Sequence, residues 1–122
     1  MSIGDVQINH APGALVARLT GEVDMSNAED LGASVIGATP SGVRGVVLDL
    51  SEVEYLDSAG IYVIHGMRAS LQARGQVLVL VIPESSPVHD ALRLSGAKQP
   101  GEVVDDLDGA MLALEASALG DA

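Results

Sequence analysis

The chain has 122 residues, a length that fits one domain able to bury most of the surface its unfolded form exposes. Apolar residues make up 48% and aromatics only 2%, two Tyr with no Phe or Trp, so a folded globule with an aliphatic core is expected. Seventeen acids against six bases leave a net charge of −11, which repels nucleic-acid phosphates and anionic lipid and favours solubility or a basic protein partner.

The absence of cysteine excludes disulfides and thiolate metal sites. The opening segment, Met1 to His10, has neither a basic stretch nor an apolar centre and does not read as a signal peptide. The longest apolar run, Val77 to Ile82, is far short of the roughly 20 residues a spanning helix needs. A soluble, cytoplasmic protein without membrane insertion is the expectation.

Val6 to Asn9 and Leu15 to Thr20 both alternate around a Pro12-Gly13 turn signal, which predicts an antiparallel hairpin with Leu15, Ala17 and Leu19 buried. Gly21 is expected to break the second strand. Ser26-Asn27-Ala28-Glu29 has capping-box spacing, and Ala28, Leu31 and Val35 follow on one helical face; the helix ends in a loop at Thr39 to Gly42. The near-continuous apolar run from about Arg44 to Leu50 predicts a strand covered on both faces, followed by an acidic connector. A helix from Ser58 to about Arg74 presents Ile61, Ile64, Met67 or Arg68, and Leu71 at spacings of three and four, with Gly75 as its C′ residue.

Val77 to Ile82 is a second buried strand, closed by Pro83. Ser86-Pro87 opens a third helix, with Val88, Leu92 and Ser95 on one face and Gly96 at its end. A short strand at Val103-Val104 follows. The acids Asp105, Asp106 and Asp108 then precede a last helix from Gly109 to about Leu119, at the end where carboxylates favour the helix dipole. The order is β-β-α-β-α-β-α-β-α without repeats or linker, an α/β fold in which a mixed sheet with an N-terminal hairpin carries about four helices, as one domain over residues 1–122.

Chemistry has few footholds. His10, His65 and His89 fall in separate elements without metal-ligand spacing. The only lysine is Lys98, and no glycine-rich phosphate loop accompanies it. No Gly-x-Ser-x-Gly elbow activates a serine. Asp49 ends a central strand, but a phosphoaspartate receiver also needs an acidic pair after the first strand. That strand instead runs into the hairpin, so Asp49 is expected to cap or bond the following loop. No catalysis, cofactor or metal is expected.

Ser58 stands apart, at a helix start beside Asp57. Capping by Asp57 or Ser58 accounts for both residues structurally. The same geometry accommodates a phosphate, because a helix N-terminus offers backbone N–H groups and a favourable dipole. Phosphate would add about −1.5 to −2 charges at pH 7 beside Asp57, Glu52 and Glu54. A partner docked there would meet bulk and repulsion, enough to change occupancy by about 10²-fold. Tyr55 and Tyr62 flank the position and are the only aromatics; tyrosine is favoured at interface hot spots.

The string from Leu50 to Ile61, LSEVEYLDSAGI, resembles the signature of STAS domains, and within them is most similar to bacterial anti-sigma factor antagonists (anti-anti-sigma factors). Three further segments agree in order. Leu19 to Asp24 resembles the family's second strand and turn, Val88 to Gly96 its third helix, and Asp105 to Leu114 the approach to its last helix. The similarity covers nearly the whole chain. Ala59 stands where many members have a second serine, leaving Ser58 as the one hydroxyl of the motif, and aliphatic groups replace aromatics found in some relatives.

The resemblance implies a stand-alone STAS domain without catalysis of its own. Unphosphorylated, it would bind an anti-sigma factor that is also a serine kinase, freeing a sigma factor for stress-responsive transcription. Phosphorylated on Ser58 it would be released, and a serine phosphatase would reverse the step. Asp57, Ala59 and Gly60 would shape the docking loop, with small side chains admitting the partner, and Asp24, Met25 and Ser26 in the neighbouring turn would join the interface with Tyr55 and Tyr62. The alternative is a STAS structural or scaffold subunit of a lipid-transport ATPase complex or stress-signalling assembly, with Ser58 only a cap. Nucleotide binding at the same helix start is a weaker alternative.

Overall fold

Pro12-Gly13 does turn the chain, with Gly13 at φ +74°, in a computed structural model that describes residues 3–94 and 102–120. Strands β1 (Asp5–Ala11) and β2 (Ala14–Val23) form the hairpin, Asp5 opposite Thr20 and Ala11 opposite Ala14. Strands β3 (Gly45–Leu56), β4 (Val77–Val81) and β5 (Glu102–Val104) then add in parallel, giving one sheet in the order β1-β2-β3-β4-β5. Helices α1 (Ala28–Ala38), α2 (Ser58–Ala73) and α3 (Pro87–Leu94) make the crossovers, and α4 (Leu107–Gly120) follows β5. The mixed sheet, the hairpin and the four helices match the order expected from the sequence.

Two cores explain the unbroken apolar strands. Leu15, Ala17 and Leu19, with Val46, Leu48 and Leu50 and with Leu78, Leu80 and Ile82, pack with Val35, Ile64, Leu71 and Val88 of the three crossover helices. The intervening Val47, Val79 and Val81 point the other way, onto Ala110, Ala113 and Leu114 of α4. Successive strand residues face opposite sides, so a strand with helices on both sides has no polar face.

The structure departs from expectation where polar residues belong to strands. β2 does not stop at Gly21 but continues to Val23, and β3 runs through the acidic connector to Leu56. Pairing with β4 ends at Asp49–Val81, so β3 beyond that point is held by β2 alone. Polar side chains are tolerated there because ladder bonds come from the backbone. The register also slips twice: Arg18 lies opposite Asp49, Thr20 opposite Glu52, and Glu22 opposite Tyr55. Each slip accommodates an extra β3 residue, and Gly21, at φ +76°, takes the backbone conformation that a side chain would disfavour.

Helix ends follow local chemistry. Gly75, at φ +75°, closes α2 as a Schellman turn: Gln76 N–H reaches Leu71 O at 2.8 Å and Gly75 N–H reaches Gln72 O at 3.0 Å. Ser86 caps α3 through Val88 N–H at 3.2 Å, as its position before Pro87 indicated. Helix α4 starts two residues before the expected Gly109, because Asp106 caps it through Gly109 N–H at 2.7 Å. The capping box at α1 does not form: the Ser26 amide and hydroxyl both donate to Asp24 instead. The expected roles of Ser95 and Gly96, and the position of Lys98, lie outside the described residues.

Candidate functional site

Asp57 is the N-cap of α2. Its Oδ1 accepts the Gly60 N–H at 2.9 Å, satisfying one of the first-turn donors. Its Oδ2 accepts the Met25 N–H at 3.2 Å, from the turn between β2 and α1. Its own N–H donates to Val23 O at 3.2 Å. One residue therefore fastens the start of α2 to the end of β2 and to the turn beyond it.

With Asp57 as cap, Ser58 is the first residue of α2 and is exposed. The capping role open to either residue in the sequence thus falls to Asp57. Tyr62 lies one helical turn further along the same face and is 78% exposed. Met25, held by Asp57, is 83% exposed. An exposed hydroxyl accordingly sits on an element tied to two large exposed side chains.

The Asp24 turn is internally braced. Asp24 Oδ1 accepts both the amide and the hydroxyl of Ser26, and these bonds hold its carboxyl below its ordinary value, the hydroxyl contributing most. Asn27 contributes a brace that the sequence reading did not single out: its Oδ1 accepts Asp24 N–H at 3.0 Å, and its Nδ2 donates to Glu22 O at 2.8 Å. An Asx residue just before a helix is the available signal, since such side chains bond nearby backbone.

Two predicted residues have surroundings that spacing alone did not show. Gly60 is buried, and a Cβ there would stand 2.4 Å from Leu56 Cδ1 and 3.3 Å from Val23 Cγ1. Its small size is used within the fold, letting α2 start close against β2 and β3. Tyr55, 52% exposed, pairs with Glu22. Its neighbour Leu56 enters the core beneath α2, and Tyr55 itself stands at the second register slip, opposite Glu22. The structure therefore brings Asp24, Met25, Ser26, Asp57, Ser58, Ala59 and Tyr62 to one end of the sheet, with Tyr55 among the last residues of β3 that lead into it.

Elsewhere, Asp49 Oδ1 accepts Ser51 N–H at 2.9 Å, bonding the segment that follows as the sequence suggested, while Oδ2 also pairs with Arg18. A groove of about 440 Å³ lined by Arg68, Gln72, Val77, Leu78, Val79, Glu102 and Ser117 lies between α2, β4, β5 and α4. It begins ten residues along α2 from Ser58, about 15 Å by helical rise. Among the described residues no group of three or more His, Asp or Glu is arranged to hold a metal ion, and no helix is long and apolar enough to cross a membrane.

A mixed five-stranded sheet, opened by a hairpin, carrying four helices and presenting an Asp57-capped helix start at one end, defines an α/β fold. The family model described as "Mlab, STAS domain" matches residues 6–112, and the chain belongs to the STAS family. It is 38% identical over 86 residues to BtrV of Bordetella bronchiseptica, named as a putative anti-sigma factor antagonist, a match covering 69% of this chain and 72% of BtrV. It is 27% identical over 111 residues to an anti-sigma F factor antagonist of Paenibacillus polymyxa, covering 90% and 94% of the two chains. The crystal structure of an anti-sigma factor antagonist from Mycobacterium paratuberculosis superposes with a TM-score of 0.72 at 25% identity, covering 93% of this chain and 95% of the other.

Proposed function

We propose that this chain is an anti-sigma factor antagonist. It binds an anti-sigma factor with serine kinase activity while Ser58 is unmodified, and is released once Ser58 is phosphorylated; a serine phosphatase restores binding. The observation that carries this reading is the exposed Ser58 hydroxyl on a helix start already capped by its neighbour. Because the cap is Asp57, the serine is spare for modification. The names of the Bordetella, Paenibacillus and Mycobacterium relatives support the same partner class.

The segments around the serine carry Glu22, Asp24, Glu29, Asp30, Glu52, Glu54 and Asp57 and no Lys or Arg between residues 21–30 or 51–62. A phosphate added there gains no basic partner from either segment and deepens an existing negative field. The switch therefore acts through the bulk and desolvation cost of the phosphate and through repulsion from acidic groups of a partner docked over Ser58. Incubation with the cognate anti-sigma kinase and ATP adds a single phosphate at Ser58, mapped by mass spectrometry; phosphate elsewhere, or none, sinks the reading. Recovery of a transporter ATPase or a sensor assembly in pull-downs, in place of a small kinase, identifies the scaffold-subunit alternative.

A further inference from the structure

Asp57 makes a contact that capping does not require. A cap needs one oxygen on the first turn of the helix; Asp57 uses Oδ1 for that, on Gly60, and spends Oδ2 on the backbone of Met25, 32 residues earlier in the chain. The Met25 side chain is 83% exposed, so little packing fixes it, and this hydrogen bond links the turn that carries it to the Ser58 segment. We propose that Asp57 is a positioning residue that holds Met25 beside Ser58 in the unmodified protein, and that a phosphate on Ser58 loosens this hold, so that modification alters the shape of the docking surface as well as its charge. The inference rests on the phosphorylation reading above.

The physical basis is competition. A phosphate on Ser58 brings about two negative charges next to the Asp57 carboxylate. It also brings three acceptor oxygens close to first-turn N–H groups that have no intrahelical partner. The carboxylate is thus repelled, and its claim on Gly60 N–H is contested by a stronger acceptor. Oδ1 and Oδ2 belong to one rigid carboxylate, so a shift that disturbs the Gly60 bond also disturbs the Met25 bond. No lysine or arginine from the two segments is present to bind the phosphate and leave Asp57 undisturbed. The Asp57 N–H to Val23 O bond and the Ile61 N–H to Asp57 O bond at 3.0 Å involve only backbone, so they persist and keep the fold in place.

The test uses the full chain without a partner. Amide hydrogen exchange at Met25 is compared in the wild type, in Asp57→Ser, and in protein carrying phosphoserine installed at position 58 during translation. Serine caps well but has one side-chain oxygen, so Asp57→Ser keeps the Gly60 bond and gives up the Met25 bond. Met25 exchange accelerates by about fivefold or more in both altered proteins, the loss expected for one hydrogen bond, while the Asp57-position and Ile61 amides keep their protection. Unchanged Met25 exchange in either altered protein overturns the proposal. Binding of the anti-sigma factor without ATP is measured in parallel. Asp57→Ser weakens it several-fold with Ser58 still unmodified, and full affinity in that variant also overturns the positioning role. If phosphoserine abolishes binding with Met25 exchange unchanged, the switch stands and the Met25 coupling fails; if Met25 is released and binding is undiminished, the switch itself fails.

Discussion

The Arg18 guanidinium lies 3.3 Å from the Asp49 carboxylate, across adjacent parallel strands and in direct register. The two ends differ in solvent access: the Asp49 side chain is 3% exposed and that of Arg18 is 42% exposed. Asp49 therefore stands on the α4 side of the sheet as a buried acid whose charge is met by one partly wet arginine and by Ser51 N–H. Removing the arginine leaves that acid without its cation. Arg18→Ala is expected to destabilise the fold by about 2 kcal/mol, the range for losing a charged hydrogen bond to a buried group. Asp49→Asn, which keeps an acceptor for Ser51, costs less. Urea unfolding of both variants decides the order; equal stabilities refute the assignment.

Gly60 faces a harder constraint than any charge. An added methyl at 2.4 Å from Leu56 Cδ1 has no room unless Leu56 moves within a packed core. Gly60→Ala is expected to cost about 1–3 kcal/mol through overpacking. A second change, Leu56→Ala, opens the space, so the double variant is more stable than the sum of the singles implies. A double-mutant cycle measures the coupling, and strict additivity contradicts the contact.

Ser58 itself carries little of the fold. With Asp57 as cap and the hydroxyl exposed, Ser58→Ala changes stability by less than about 0.5 kcal/mol and retains partner binding while refusing phosphate. Ser58→Asp weakens binding, in the direction of the roughly 10²-fold expected for phosphate, without unfolding the protein. Thermal melts and calorimetric titration with the anti-sigma factor separate the two effects. Unchanged affinity for Ser58→Asp counts against electrostatic release.

The Asp24 turn has a signature in pH. The Ser26 hydroxyl and amide lower the Asp24 carboxyl from its ordinary 3.8. A depressed folded value means the turn's contribution is complete above 3.8 and is lost as pH falls through the lower folded value. Ser26→Ala removes the larger cause and returns Asp24 toward 3.8, observable by NMR titration of its carboxyl carbon. A titration identical to the wild type excludes the hydroxyl as the cause.

The sequence determined most of the architecture, because the signals involved are local. Pro12-Gly13 and alternation specify the hairpin, Gly75 specifies the end of α2, and the run Val77 to Val81 is apolar on both faces because helices cover both. Asp57 and Ser58 were legible as a helix start by the same local logic. The polar ends of β2 and β3 were not: their strand character comes from backbone pairing past the end of β4, which leaves no hydrophobic period to read. Nor could spacing show that Gly60 is crowded by Leu56, that Tyr55 falls at a register slip opposite Glu22, or that one Asp57 carboxylate joins Met25 to Gly60. Those relations join residues brought together by sheet register and helix docking, and long-range proximity has no period along the chain. The sequence thus determined that a serine begins a helix; tertiary structure decided which residue caps that helix, and so left the serine's hydroxyl exposed.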